Sequence, residues 1–172
     1  EPDSVATDTV DQKFWLISAH KRQELLRDFL LVKRPERAII FANRRDQTHR
    51  LVSYLSQKGI QCEGLAGDIP QKKRLSTLNR FKQGNLQYLI ATDVAGRGIH
   101  VDGVTHVINF ELPDDPEDYV HRIGRTGRAG AEGTAISFVS EDDAFNLPAL
   151  EEYLGNPIKC VQPEELSNAK TT

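Results

Sequence analysis

The sequence predicts an α/β domain of three layers (α/β/α), in which helices cover both faces of a mostly parallel β-sheet. Short and almost continuous apolar runs, typical of strands buried on both faces, recur along the 172 residues. Segments whose apolar positions repeat with helical spacing lie between these runs. Strands that alternate with helices imply right-handed crossovers, and such crossovers make the strands parallel.

The individual elements follow from the same two patterns. Apolar runs predict strands at residues 11–18, 37–42, 60–65, 86–91, 104–110 and 134–139. Helical spacing predicts helices at residues 19–32, 46–58, 69–83 and 116–123, and a final helical region after Ser140. In the third helix we expect Leu75, Leu78 and Phe81 to face the core.

Residues that favour helix ends mark several boundaries. Asp68 and Asp115 can cap the third and fourth helices, because a carboxylate accepts hydrogen bonds from the free N–H groups of a first turn. Ser140 and Asp143 predict a capping box for the final helical region, which we expect Pro148 to interrupt.

The composition, 38% apolar and 27% charged, is ordinary for a soluble globular protein. No apolar run approaches the roughly 20 residues that span a bilayer, and no signal peptide is visible, so we expect a cytoplasmic protein without membrane contact. Polarity predicts a linker at residues 1–9, one domain at 10–155 and a loosely packed C-terminal extension at 156–172.

Charge and ligand spacing narrow the function. The net charge of −3 argues against a globally basic nucleic-acid-binding protein but leaves room for a local basic face. Cys62 and Cys160 lie far apart, and the five histidines are scattered without the spacing of metal ligands. We therefore predict free thiols and no metal site.

Polar residues follow three of the predicted strands. Ligands of parallel α/β sheets bind beyond the carboxyl ends of the strands, so Asn43, Gly67 and Thr92 should lie on one rim. Thr92 offers a hydroxyl and a backbone N–H that suit a phosphate oxygen. The alternative is a turn held by Asp93, with Arg97 paired to it.

Charged residues lie close to the same rim. Arg74 lies on the first two turns of a helix whose N-terminal end already favours an anion, and Asp68 precedes that helix. Arg44 follows the strand that ends before position 43. The alternative interpretation of both arginines is an ordinary solvated surface.

Residues 121–130 combine permanent positive charge with a flexible backbone. The stretch contains three arginines and three glycines directly after a predicted helix. Arg125 and Arg128 are three residues apart, so in a roughly helical turn both side chains leave on one side. Their planar guanidiniums match phosphate oxygens and form an anion clamp. The alternative is a surface loop whose arginines pair with nearby acids.

These stretches resemble the motifs of the DEAD-box family of superfamily 2 helicases. Residues 38–43 resemble motif IV, Gln71 with Arg74 resembles the QxxR motif, and residues 91–104 resemble motif V. Residues 121–128 match motif VI. No GxxxxGK[ST] loop and no Asp-Glu-Ala-Asp sequence occurs. The resemblance therefore covers the second, C-terminal RecA-like domain of an ATP-dependent RNA helicase and implies a RecA-like fold.

The resemblance also implies roles for particular residues. Arginine fingers are implied at Arg125 and Arg128. A nucleotide site is implied at Gly98, His100, Arg125 and Arg128. Binding of the RNA backbone is implied at Asn43, Arg44, Gly67, Asp68, Arg74 and Thr92. Coupling to the N-terminal RecA-like domain is implied at Arg97, His121 and Arg122. ATP and Mg²⁺ are the implied cofactors, with the Mg²⁺ ligands on the N-terminal domain, and the implied activity is local RNA unwinding.

Departures from the family pattern and alternative functions accompany this prediction. His100 stands where the family usually has Asp, which removes a fixed negative charge. Gly96 replaces the usual Ala, a change expected to matter little. Residues 112–121 and 145–151 resemble a bacterial type that acts in RNA degradation, which implies an RNase E-type scaffold as partner. The alternatives are a non-enzymatic docking module for a ribonuclease partner and a DNA-directed helicase.

Overall fold

Seven parallel strands form one sheet in the computed structural model, which describes residues 9–128, 131–164 and 166. The strands are β1 Val10–Leu16, β2 Ala38–Phe41, β3 Glu63–Leu65, β4 Tyr88–Ala91, β5 His106–Asn109, β6 Gly133–Val139 and β7 Cys160–Val161. Their order is β3-β4-β2-β5-β6-β1-β7, and every pairing in the described sheet is parallel.

Helices cover both faces of this sheet. They are α1 Arg22–Lys33, α2 Arg45–Gln57, α3 Gln71–Lys82, α4 Asp93–Gly96, α5 Pro116–Ile123 and α6 Leu147–Leu154, with 3₁₀ turns at Ala19–Lys21 and Ala144–Asn146. The apolar faces of α1 and α2 join one core, around Trp15. Those of α3, α5 and α6 join the other core, around Phe41 and Tyr119. The predicted three-layer α/β/α class is confirmed.

Several predicted helix boundaries are confirmed and others need correction. Asp115 caps α5, because its Oδ1 accepts a hydrogen bond from Glu117 N at 3.0 Å. Asp68 does not cap α3, whose N-cap position is Pro70 and has no side-chain cap. Pro148 does not interrupt α6; it lies in the first turn, where the missing N–H costs nothing.

Helix α3 packs less deeply than its sequence predicted. Phe81 is fully buried, and Leu78 packs against the core. The prediction for Leu75 was wrong, because 53% of this residue is exposed. Thr77 and Arg80 of α3 bind Glu63 of β3, so this helix lies at the edge of the described sheet, where there is less strand surface to cover.

The strand β7 lies within the segment predicted as a C-terminal extension. Cys160 and Val161 pair with Phe14 and Trp15 of β1, a contact that the polarity of the segment did not indicate. Residues 1–8 of the predicted linker, residues 129–130, and residues 165 and 167–172 lie outside the described residues. In the part of the chain that the structure describes, no helix is long and apolar enough to cross a membrane.

Candidate nucleotide and nucleic-acid site

The loops after the central strands meet at the point in the sheet where successive strands are added on opposite sides of β2. Strands β4 and β3 lie on one side of β2, and strands β5, β6 and β1 lie on the other. Such a switch point opens a crevice beyond the carboxyl ends of the strands. A cleft of about 230 Å³ lies there, lined in part by Arg97, Gly98, His100, His121, Arg122 and Arg125. The predicted nucleotide-binding and coupling residues therefore share one cleft, with the exception of Arg128, which does not line it.

Arg122 is the buried centre of this cleft, and only 1% of it is exposed. Its Nε and Nη2 donate to the two carboxylate oxygens of Asp93 at 2.6 and 2.8 Å. This fork-to-fork arrangement is the strongest geometry that an arginine offers a carboxylate. The predicted alternative, in which Asp93 pairs with Arg97, was wrong, because Asp93 is taken by Arg122.

The remaining donors of Arg122 bind the ends of two strands. Nη2 donates to Asn43 Oδ1 at 2.6 Å, and Nη1 donates to Asn109 Oδ1 at 3.3 Å and to Glu111 O at 2.8 Å. All five N–H groups of the guanidinium are thereby engaged. The predicted contact of Arg122 with another domain therefore needs correction: its side chain binds the loops of this domain together.

Two residues predicted to bind RNA also use their polar groups internally. Asn43 Nδ2 donates to Leu112 O at 3.0 Å, so its amide is taken on both sides. Thr92 N donates to Leu65 O at 3.3 Å, and its hydroxyl accepts from Ala95 N at 3.4 Å as the cap of α4. The predicted phosphate contact of the Thr92 backbone N–H therefore needs correction, because that donor completes the sheet.

Arg125 enters the same cleft but lacks a counter-charge. Its Nη1 donates to Ile99 O at 2.7 Å, whereas its Nε is buried and has no hydrogen-bond partner among the described residues. Burial lowers the pKa of Arg125, and the neighbouring Arg128 lowers it further. Within residues 9–128, 131–164 and 166, no carboxylate pairs with either arginine. The alternative of a loop neutralised by its own acids was wrong for this part of the chain.

The loop that carries both arginines, residues 124–128, is anchored to the rest of the domain by a hydrogen bond. Thr126 is buried, and its hydroxyl donates to Val104 O. Gly127 has a φ of +68°, a backbone angle that glycine adopts without steric cost. This segment is called the arginine loop below. Its fixed backbone directs Arg125 into the cleft and leaves Arg128 exposed.

Two further predicted coupling residues lie at the mouth of the cleft with their side chains in solvent. Arg97 Nη2 lies 3.7 Å from Asp118 Oδ1, and 65% of the Arg97 side chain is exposed. His121 Nε2 lies 4.0 Å from Glu117 Oε2, also at the surface. Burial raises the pKa of Asp118, and the negative charges of Asp93 and Asp115 raise it further. Such exposed pairs are weak, so both side chains can exchange partners.

The residues predicted to bind RNA lie along a neighbouring rim. Positions 43, 67 and 92 follow β2, β3 and β4, which are adjacent strands of the sheet. Gly67 is exposed, and a Cβ atom there would meet nothing within 4 Å. Asp68 Oδ2 lies 3.9 Å from Arg45 Nε and 3.4 Å from His49 Nε2. Arg44 is exposed beside Asp46, and Arg74 lies half-buried in the first turn of α3.

The sequence that forms this cleft and rim lies within a stretch that matches a known protein family. The family described as the helicase conserved C-terminal domain matches residues 21–130. The chain belongs to this family.

Relatives and solved structures narrow the type of helicase domain. The ATP-dependent RNA helicases RhlB of Pseudomonas aeruginosa and Pseudomonas syringae pv. tomato are 53% and 50% identical over 95% and 93% of this chain. The alignments cover 41% and 40% of those proteins, so the helicase domain spans about two fifths of their length. The family match and these identities show a helicase C-terminal domain of the RhlB type of DEAD-box protein.

Solved structures of DEAD-box proteins share the fold. The Escherichia coli protein SrmB, bound to regulator of ribonuclease activity A, superposes with a TM-score of 0.84 at 37% identity and covers 91% of this chain and 93% of its own. Saccharomyces cerevisiae Dbp5, bound to RNA and ADP BeF3, superposes with a TM-score of 0.82 at 30% identity over 94% of this chain and 43% of its own. The RecA-like helicase fold is thereby confirmed.

Sequence reasoning missed three residues of the helicase domain that hold the cleft in place. Asn109 and Glu111 bind Arg122 from the end of β5, and the Phe41 ring lies 5.4 Å from its guanidinium carbon. A Cβ atom at Gly96 would lie 2.6 Å from Phe41 Cε1, so the glycine matters more than its sequence context indicated. The apolar run of β2 was the available signal for Phe41, but it did not show which face the ring occupies.

Among the described residues, no group of three or more His, Cys, Asp or Glu is arranged to hold a metal ion. Burial raises the pKa of Cys62 to about 11, so this thiol is protonated at neutral pH. Both cysteines are free.

Proposed function

We propose that this domain is the second RecA-like half of an ATP-dependent DEAD-box RNA helicase and supplies arginine fingers to ATP hydrolysis. The observation that carries the proposal is the environment of Arg125. Its guanidinium lies half-buried in the cleft, and its Nε has no hydrogen-bond partner among the described residues. A buried donor without a partner costs free energy, and an anion that enters the cleft restores the missing hydrogen bond. The relatives named ATP-dependent RNA helicase RhlB support the same reaction.

The chemistry of the cleft suits a triphosphate that another domain presents. Arg125 and Arg128 place permanent positive charge where the γ-phosphate carries negative charge in the transition state. Gly98, with a φ of +81°, and His100 line the same cleft as contacts for the nucleotide. ATP would supply the phosphoryl group that is transferred to water, and Mg²⁺, which the N-terminal domain would hold, would neutralise charge on its phosphates.

The neighbouring rim is proposed to bind the RNA backbone. Arg44 and Arg74 supply positive charge, and Gly67 leaves room for a phosphate. Asp68 and Thr92 lie on the same rim and are proposed to contribute further polar contacts. Backbone contacts bind without sequence preference and weaken as salt rises. Dbp5, which superposes on this domain, was solved with RNA bound.

The cleft and the rim are proposed to act together when the two RecA-like domains close. Arg97 and His121, exposed at the mouth of the cleft, contact the N-terminal domain. Residues 1–9 link the domains, residues 10–155 form this one, and residues 156–172 extend it. Closure separates a short duplex during RNA decay or remodelling in the cytoplasm.

The test is the substitution Arg125→Ala in the longer helicase that contains this domain. We expect RNA-stimulated ATP turnover to fall on the order of 10³-fold, because arginine fingers contribute rate factors of that size. The control is Arg27→Ala on α1, which removes a guanidinium that pairs with Asp28 at 2.9 Å away from the cleft. Turnover of the Arg125 variant within threefold of the control would rule out the finger role.

Protein docking is a second candidate function, in which an RNase E-type degradosome scaffold is the partner. The SrmB domain, solved bound to regulator of ribonuclease activity A, supports it as a related domain in contact with a protein. Docking that persists in the Arg125→Ala variant, which lacks turnover, would separate the two functions.

A further inference from the structure

The arginine loop is held by the residue at which the described chain begins. Thr9 Oγ1 donates to Gly127 O at 2.7 Å, and Gly133 N donates to Thr9 O at 3.1 Å. Thr9 directly precedes β1. The start of β1 therefore bridges the arginine loop and the start of β6.

The contact is close enough to depend on the shape of the loop. A Cβ atom at Gly127 would lie 2.7 Å from Thr9 Oγ1 and 3.0 Å from Val10 Cγ2. A Cβ atom at Gly133 would lie 2.6 Å from Gly127 N. The loop is thus wedged between the first residues of β1 and β6, with no space for side chains at 127 and 133.

Gly127 lies between the two arginines of the proposed reaction. Arg125 extends from one side of it to Ile99 O in the cleft, and Arg128 lies exposed on the other side. A displacement of the Gly127 carbonyl therefore displaces both guanidiniums. A misplacement of about 1 Å can cost roughly 10²-fold in rate.

We propose that Thr9 is a positioning residue, whose hydroxyl holds the Gly127 carbonyl and thereby sets the direction of Arg125 and Arg128. The inference rests on the proposed function. The residue directly before β1 is therefore also the anchor of the arginine loop. Thr9 itself does not touch the nucleotide in this proposal and acts only through the arginine loop.

The test compares Thr9→Val with Thr9→Ser in the longer helicase. Valine keeps the β-branched shape but lacks the donor, whereas serine keeps the donor. We expect kcat for RNA-stimulated ATP hydrolysis to fall roughly fivefold to tenfold in Thr9→Val, as the loss of one hydrogen bond implies. The KM for RNA should stay unchanged, and Thr9→Ser should recover most of the wild-type kcat.

The matched control is Thr105→Val. Thr105 and Thr9 both line a surface groove at the start of β1 and β6. The Thr105 hydroxyl, however, donates to Arg37 O at 3.0 Å and not to the arginine loop. We expect this control to retain the wild-type kcat. Urea unfolding of each variant shows whether the fold is intact.

The outcomes separate this inference from the proposed function. A wild-type kcat in Thr9→Val, or an equal loss in Thr105→Val, overturns the positioning role while Arg125→Ala still abolishes turnover. Failure of Thr9→Ser to recover kcat also overturns it, because the donor would then not be the cause. Turnover that survives Arg125→Ala removes the finger role and this inference together.

Discussion

Two arginines three residues apart in motif VI have opposite environments. Arg122 is enclosed and donates five hydrogen bonds, whereas Arg125 is half-buried with one nitrogen unpartnered among the described residues. A fully paired guanidinium stabilises the loops that it joins. A buried guanidinium nitrogen without a partner costs stability, and such a cost is typical of a group that awaits a ligand.

Removal of Arg122 should destabilise the domain. Arg122→Ala leaves the carboxylate of Asp93 without its counter-charge and frees the acceptors of Asn43 and Asn109, so we expect the free energy of unfolding to fall by about 3–5 kcal/mol. Urea unfolding of the domain measures this loss. The control, Arg97→Ala, removes an exposed arginine of the same cleft and should change the free energy far less. Equal losses in the two variants would contradict a structural role for Arg122.

At the scale of the elements, a carboxylate fastens helix α3 to the edge strand β3. Glu63 accepts hydrogen bonds from Thr77 Oγ1 at 3.0 Å and from Arg80 Nη2. Burial alone would raise the pKa of Glu63, but these hydrogen bonds outweigh it and lower the pKa below its ordinary value of 4.5. The helix that carries Arg74 is therefore attached to the sheet by a charge as well as by Phe81.

This attachment should depend on pH. A carboxyl whose pKa is lowered by folding stabilises the fold above its unfolded value, and the contribution is lost as pH falls through the folded value. Glu63→Gln should therefore lower the free energy of unfolding at pH 7. The difference in this free energy between the variant and the wild type should become smaller as the pH falls below 4.5. Urea unfolding across this range measures the difference. The control Glu152→Gln, at an exposed position of α6, should show no such narrowing.

At the scale of the whole molecule, the cleft is one wall of the proposed nucleotide site. Arg125 and Arg128 are proposed to approach a triphosphate from one side only, and the phosphate-binding loop and Mg²⁺ ligands are proposed to lie on the N-terminal domain. The rim beyond β2, β3 and β4 likewise forms half of the proposed RNA surface. Under this proposal, activity depends on how the two domains come together.

The domain by itself should not hydrolyse ATP. We expect no turnover above background from this chain with or without RNA, and RNA-stimulated turnover when the N-terminal domain is joined to it. A phosphate-release assay on both proteins measures the difference. DNA of the same sequence serves as the control, because equal stimulation by DNA would favour a DNA-directed helicase over recognition of the 2′-hydroxyl. ATP turnover by the isolated domain would contradict the proposal that this domain holds only one wall of the nucleotide site.

The order of most elements and the cap of one helix were predictable from the sequence. Apolar periodicity is a local property, so the runs that became β2 and β4 and the cap at Asp115 could be read directly. The short strand β7 and the exposure of Leu75 could not be predicted, because both depend on which elements lie at the edges of the sheet.

The sequence by itself determined the family, the parallel α/β architecture and the cluster of arginines after α5, since motifs and periodicity are written in neighbouring residues. Only the tertiary structure decided that Arg122 faces inward and Arg125 faces the cleft. It alone brought Thr9 against Gly127, 118 residues later in the chain. Contacts over such distances are set by the strand order and by steric fit, and neither leaves a pattern in the local sequence.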